Sequence, residues 1–138
     1  MADKDLFGFA TLTEKQAAAV NSLVLAYVGD AVWSLFVRRQ LAATTDLKAG
    51  ELHKIASGEV NAGAQARLAE AVADKLTEAE HDVYIRGRNA KAHHKAKNQS
   101  GADYRKATGM EAVVGYLYLV GDTARIVELL TTDAQPQD

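Results

Sequence analysis

The chain has 138 residues, enough for one domain with a single core, and its 48% hydrophobic and 25% charged residues are ordinary for a globular protein in water. It has no cysteine, which excludes disulfides, thiolate catalysis and sulfur-bound zinc and is typical of a reducing compartment. No apolar run reaches the ~20 residues of a membrane span, and the first residues lack the order of a secretory signal, so we expect a cytoplasmic protein.

Helical patterns run through nearly the whole chain. Its one proline is Pro136, and apolar residues recur at spacings of three and four, which predicts an all-α fold. In chain order, helices are predicted over about residues 21–43, 47–57, 59–73, 77–89, 103–120 and 122–130. Thr77 and Glu80 have the spacing of a capping box, and Asp122 is placed to cap the last helix. We expect one domain over residues 1–138, with its core between about 20 and 130 and a polar tail over 131–138.

Positive charge is concentrated between Arg86 and Lys106. This basic segment has seven Lys/Arg against one acid, Asp103, a net +6, which leaves −8 for the rest of a chain whose net charge is −2. Residues 90–102 have no apolar face to bury, so we expect a functional loop there. A basic segment on an acidic body indicates a polyanion bound at one place. The seven bases are Arg86, Arg88, Lys91, Lys95, Lys97, Arg105 and Lys106.

Two carboxylates interrupt the most apolar predicted helices. Asp30 lies within "LAYVGDAVWSLFVRR", and Glu111 lies within "MEAVVGYLYLV". Because a buried carboxylate without a partner is costly, each needs a cation or an opening to solvent. For either acid alone, the simpler interpretation is exposure on its helix or an ion pair with an arginine. The predicted apolar face around Asp30 consists of Leu25, Val28, Val32, Leu35 and Phe36, and the candidate arginines are Arg38, Arg67 and Arg105.

Taken together, the two acids indicate a site for a divalent cation. Carboxylates that converge across a helix contact can hold Mg²⁺ or Mn²⁺, which activates water for phosphodiester hydrolysis. With the basic segment holding the rest of the polyanion, nucleic-acid hydrolysis follows as a hypothesis. The small residues that would let the two helices approach closely are Gly29, Ala31, Ala112 and Gly115.

The same stretches resemble the ribonuclease III family. The stretch "LAYVGDAVWSLFVRR" is similar to the signature helix of its catalytic domains, whose centre is a Leu-Gly-Asp-Ala pattern. Three further stretches, "ELHKIASGEVNAGAQARLA", "RGRNAK" and "YRKATGMEAVVGYLYL", resemble Mini-ribonuclease III, the short bacterial branch with only the catalytic domain. The resemblance covers about residues 20–130.

The resemblance implies a homodimeric, all-helical endoribonuclease domain that cleaves double-stranded RNA with Mg²⁺, for which Mn²⁺ could substitute, and that matures the 23S ribosomal RNA precursor. Asp30 takes the position of the metal-binding catalytic aspartate of the signature helix, and Glu111 that of the late catalytic glutamate. The resemblance also favours a dimer contact over core packing for Trp33. A ribosomal protein on the precursor is a further expected partner. The catalytic domain would itself bind the duplex, through Arg86, Arg88, Asn89, Lys91, Lys95, Lys97, Arg105 and Lys106.

Two positions depart from the longer members of the family. Ala26 and Thr108 stand where those proteins have acids, so two of their four metal-site carboxylates are missing and one firmly held ion is expected. The departures keep a second function open, a non-catalytic module that binds double-stranded RNA or assists ribosome assembly. A third is a structural helical dimer whose acids form ion pairs.

Overall fold

The structure, a computed structural model, describes residues 3–59, 61–90 and 101–133. Apart from one isolated bridge between Lys4 and Ala10, these three segments contain no β-structure, which confirms the predicted all-α fold. No helix within them is long and apolar enough to cross a membrane. The helices are α1 (Glu14–Ala18), α2 (Ser22–Thr44), α3 (Ala49–Glu59), α4 (Ala62–Val72), α5 (Glu78–Asn89), α6 (Gly101–Leu119) and α7 (Thr123–Leu130), with a short 3₁₀ turn (Ala73–Lys75) after α4.

Side-chain caps fix where several helices begin. The predicted capping box before α5 is present, since Thr77 accepts from the backbone N–H of Glu80 and the Glu80 carboxylate accepts from that of Thr77. Asp122 caps α7 as predicted, by accepting from the N–H of Arg125. The short helix α1 was not predicted, because five residues are too few to show an apolar period.

The long helix α6 forms the centre of the fold. From Ala107 to Leu117 only Glu111 is not fully buried, and the helix packs chiefly against α2, α5 and α4. A helix that is apolar nearly all round is expected at the centre of a core. Its end is fixed to the N-terminal segment, since the N–H of Leu12 donates to the carbonyl of Leu119 at 2.8 Å.

Two glycines let α2 and α6 cross at backbone contact. A Cβ added to Gly29 would lie 1.7 Å from the carbonyl oxygen of Glu111, and one added to Gly115 would lie 2.0 Å from that of Leu25. Real Cβ atoms do not approach backbone so closely. The predicted close helix contact is therefore confirmed at Gly29 and Gly115, whereas Ala31 faces solvent.

A partly buried ion pair ties α5 to α7. The Arg125 guanidinium donates to both carboxylate oxygens of Glu80, each at 2.9 Å, and also pairs with Glu128. Burial alone would raise the pKa of Glu80, but the hydrogen bonds from Arg125 and Thr77 lower it below its ordinary value. The pair secures α5, which carries the first bases of the basic segment.

The predicted apolar face of α2 is confirmed in part, since Val32 and Phe36 are partly buried against the core. Leu25 is buried as expected, but Leu35 is 48% exposed and Trp33, favoured as a dimer contact, is only 4% exposed within the chain's own core. The buried face of α2 includes Gly29, because the backbone contact with α6 leaves no room for a Cβ there. The residues of α2 that are buried are Leu25, Ala26, Gly29, Trp33 and Val37.

Candidate active site

The two predicted acids meet where α2 crosses α6. Asp30 is exposed on α2, and Glu111 is partly buried on α6. Because Gly29 lies against the backbone of Glu111, the residue after it brings its carboxyl group within hydrogen-bonding reach of the Glu111 carboxyl group. The structure therefore brings together the two side chains that the sequence singled out.

The pair is electrostatically strained when both groups are charged. Burial, followed by the hydrogen bond and the negative charge of Asp30, raises the pKa of Glu111 to about 9, whereas a hydrogen bond from Gln65 lowers it. Without a cation, Glu111 thus holds a proton at neutral pH. A divalent cation between the two groups would remove the strain and displace that proton.

The ion-pair interpretation of the two acids is not supported. In the described segments neither Asp30 nor Glu111 forms an ion pair, although Asp30 is exposed, as the simpler interpretation allowed. Arg38, one of the candidate partners, lines the same cleft of about 260 Å³ as Asp30, together with Ser34 and two residues of α3. The cleft therefore places a base near Asp30 and leaves Asp30 accessible from solvent.

Among the residues that the structure describes, no further acid joins the pair. Ala26 and Thr108 are both 7% exposed, and the Thr108 hydroxyl donates to the carbonyl of Tyr104 at 3.0 Å. Across residues 3–59, 61–90 and 101–133 there is no group of three or more His, Cys, Asp or Glu side chains that could hold a metal. The described part of the chain thus supplies two carboxylates, whose hard oxygens suit Mg²⁺ or Mn²⁺ when water and phosphate complete the shell.

One residue near the acids was missed from the sequence. Gln65, on α4, is 3% exposed and its amide Nε2 donates to Oε2 of Glu111 at 3.4 Å. A glutamine inside the small apolar run "NAGAQARLA" was the available signal, because a buried amide requires a hydrogen-bond partner. The partner itself could not be read from the sequence, since it lies on another helix.

The predicted RNA-binding residues that the structure describes lie at the end of α5 and the start of α6. Arg86 and Arg105 are exposed, and Arg86 and Asn89 line a shallow cavity of about 480 Å³ beside the N-terminus of α2. Arg88 lies 6.0 Å from the ring centre of Tyr84, and Lys106 pairs with Glu70 at 2.6 Å. The other predicted bases, Lys91, Lys95 and Lys97, lie outside the described residues.

Comparison with known proteins gives consistent matches over most of the chain. Residues 23–122 match the family model described as the Ribonuclease III domain. The chain is 44% identical to Mini-ribonuclease 3 of Enterococcus faecalis, over 80% of this chain and 86% of the relative, and 47% identical to that of Brevibacillus brevis, over 80% and 82%. It is 38% identical to Mini-ribonuclease 3 of Thermoanaerobacter sp. over 96% of both chains. A crystal structure of a protein from Fusobacterium nucleatum is similar with a TM-score of 0.74 and 26% identity, over 81% of this chain and 89% of that one.

Proposed function

The chain belongs to the ribonuclease III family as an endoribonuclease of double-stranded RNA, and from that premise we propose that it matures the 23S ribosomal RNA precursor in a Mg²⁺-dependent reaction. Asp30 and Glu111 hold the cation in this proposal, and Mn²⁺ substitutes for Mg²⁺. The observation that carries the proposal is the contact between these two carboxyl groups, neither of which has an ion-pair partner in the described segments.

In this proposal the two acids have different tasks. Asp30 is exposed in a cleft, so a phosphate of the RNA can reach the cation that it holds, whereas Glu111 fixes that cation from the partly buried side. When bound, Mg²⁺ lowers the pKa of water and neutralises charge that develops on the attacked phosphate. Arg38 lines the same cleft and supplies a positive charge for an adjacent phosphate.

The proposed duplex contacts use the basic segment. A-form RNA presents phosphates and 2′-hydroxyl groups more readily than base edges, so exposed guanidinium groups such as those of Arg86 and Arg105 are suited to binding by shape. Arg88, Asn89 and Lys106 lie close to them in sequence, on α5 and α6. The charge of Lys91, Lys95 and Lys97 adds to this surface in the proposal on sequence grounds alone.

We also propose that the chain works as a homodimer. Along α2, Val24 is 49% exposed, Tyr27 is 79% exposed and Leu35 is 48% exposed. Large apolar side chains on one helix that the described part of the chain leaves uncovered support a contact with a second copy. Two copies would present two acid pairs, one for each strand of a duplex.

Cleavage of a base-paired precursor fragment tests the proposed activity. We expect the protein with Mg²⁺ to cut a 23S precursor stem at discrete positions, to leave the separated single strands intact, and to lose activity with EDTA. Mapping the product ends on a sequencing gel gives the sites. A protein that retards the stem on a gel without cutting it would instead be the non-catalytic RNA-binding module.

The salt dependence of binding tests the duplex surface. In Ca²⁺ or EDTA, replacing Arg86 and Arg105 together with alanine should weaken stem binding by about 10-fold and flatten the slope of log affinity against log salt by about 2. Both side chains are exposed and without an ion pair in the described segments, so the fold should not change. The matched control is Lys75→Ala, which removes a base outside the basic segment. Equal slopes for the double variant and the control would exclude this surface.

A further inference from the structure

Gln65 is a buried polar residue on a helix of small apolar residues. Its side chain is 3% exposed, and its Nε2 donates to Oε2 of Glu111 at 3.4 Å. Ala62, Ala66 and Ala69 are buried on the same helix. Burial of an amide is unfavourable unless it is hydrogen-bonded, so the hydrogen bond to Glu111 offsets the cost of burying the Gln65 side chain.

The helix that carries Gln65 is firmly placed. Asn61 caps α4 by accepting from the N–H of Ala64 at 2.9 Å, and the N–H of Gln65 itself donates to the carbonyl of Asn61 at 3.0 Å. The helix then packs along α6, which carries Glu111. An amide on a fixed helix can hold a carboxylate oxygen in one orientation, as a flexible loop residue cannot.

The Glu111 carboxyl group has two polar neighbours of different chemistry. One is the exposed carboxyl group of Asp30, and the other is the buried amide of Gln65. An amide N–H donor stabilises a carboxylate without adding a second positive charge that would compete with a cation. Within the described segments Gln65 is also the one side chain that donates a hydrogen bond to Glu111.

We propose that Gln65 is a positioning residue, whose amide fixes one oxygen of Glu111 so that the carboxylate is preoriented for the divalent cation shared with Asp30. The inference depends on the proposed cation site. Residues that orient a metal ligand typically change metal affinity or activity about 10-fold to 100-fold when they are removed.

Calorimetric titration of Mn²⁺ into the RNA-free protein tests this role without relying on cleavage. Gln65→Met keeps the length of the side chain but removes the donor, so Mn²⁺ affinity should fall about 10-fold to 100-fold. Gln65→Asn keeps the amide but is one methylene shorter, and it should lose affinity as well. Circular dichroism shows whether Gln65→Met folds. If it does not fold, Gln65→Asn serves as the test variant.

Matched variants separate the possible failures. Thr108→Val removes another buried polar group from α6, one bonded to Tyr104 and not to Glu111, and it should keep the parental Mn²⁺ affinity. A loss there as large as in Gln65→Met would overturn the specific role of Gln65, as would parental affinity in a folded Gln65 variant. If Glu111→Gln loses Mn²⁺ while Gln65→Met does not, only this inference fails. If Glu111→Gln itself binds Mn²⁺ normally, the proposed cation site fails first.

Gln65→Met in the Glu111→Gln background gives a further readout. Because Gln65 is proposed to act through Glu111, the second substitution should not lower the residual Mn²⁺ affinity any further. Additive losses would show that Gln65 acts elsewhere.

Discussion

Asp30→Asn is expected to reduce cleavage of double-stranded RNA by at least about a thousandfold while the variant folds as the parent does. The substitution keeps the shape of the side chain but removes the charge on the exposed side of the acid pair. Since Ala26 and Thr108 supply no acid, Asp30 has no neighbouring carboxylate on α2 to replace it. Single-turnover cleavage of a base-paired precursor stem at saturating protein measures the effect.

Two further variants make this result specific. Glu111→Gln should abolish cleavage to the same extent, and its amide can still accept the hydrogen bond from Gln65. Asp82→Asn, an exposed aspartate on α5, removes the same charge away from the site and should cleave like the parent. If Asp30→Asn retained a tenth or more of the parental rate, Asp30 would not be a ligand of the catalytic cation.

Gly29→Ala and Gly115→Ala are expected to have the largest effects on stability. Each added methyl group would lie within 2.0 Å of a backbone carbonyl oxygen on the opposing helix, so α2 and α6 must separate. Alanine stabilises a helix by about 1 kcal/mol relative to glycine. Overpacking against the backbone should cost about 3 kcal/mol or more, so we expect a net loss of stability. Urea unfolding measures the loss. Separation of the helices would also part Asp30 from Glu111, so cleavage should fall with stability.

Gly50 provides the matched control for the two helix-contact glycines. It lies in α3, and a Cβ added there would meet no atom within 4 Å. Gly50→Ala should therefore leave the urea midpoint unchanged or raise it slightly. If Gly29→Ala unfolded at the same urea concentration as Gly50→Ala, the backbone contact between α2 and α6 would not be as close as described.

The sequence predicted the start of a helix well where the helix has a side-chain cap. The capping box at Thr77 and the cap at Asp122 gave the starts of α5 and α7, because a cap depends only on residues within one turn. The helices α3 and α4 begin two or three residues later than predicted, since their alanine-rich sequences contain weaker start signals. The buried face of α2 was only partly assigned, because a helix contact made through Gly29 does not appear in a pattern of bulky apolar residues.

The sequence predicted the two acids of the candidate site but not the residues around them. Asp30 and Glu111 stood out as charges in apolar helices, and the family resemblance gave each a role. Gln65 contacts Glu111 across 46 positions of sequence, and such a contact depends on how α4 packs on α6. The ion pair between Lys106 and Glu70 could likewise not be predicted by counting the charges of the basic segment.

Thermal unfolding of the RNA-free protein and of Glu111→Gln, with and without Mg²⁺ at about pH 8, tests most directly whether Asp30 and Glu111 bind a cation. Burial and Asp30 raise the pKa of Glu111 in the folded protein above its value in the unfolded chain. The stability that protonated Glu111 contributes is therefore fully present below pH 4.5 and is lost as the pH rises toward about 9. Without metal, Glu111→Gln should therefore be more stable than the parent by at least about 1 kcal/mol. Mg²⁺ should stabilise the parent and not the variant. Equal stabilisation of both proteins by Mg²⁺, or a metal-free parent as stable as the variant, would contradict a cation site at these two acids.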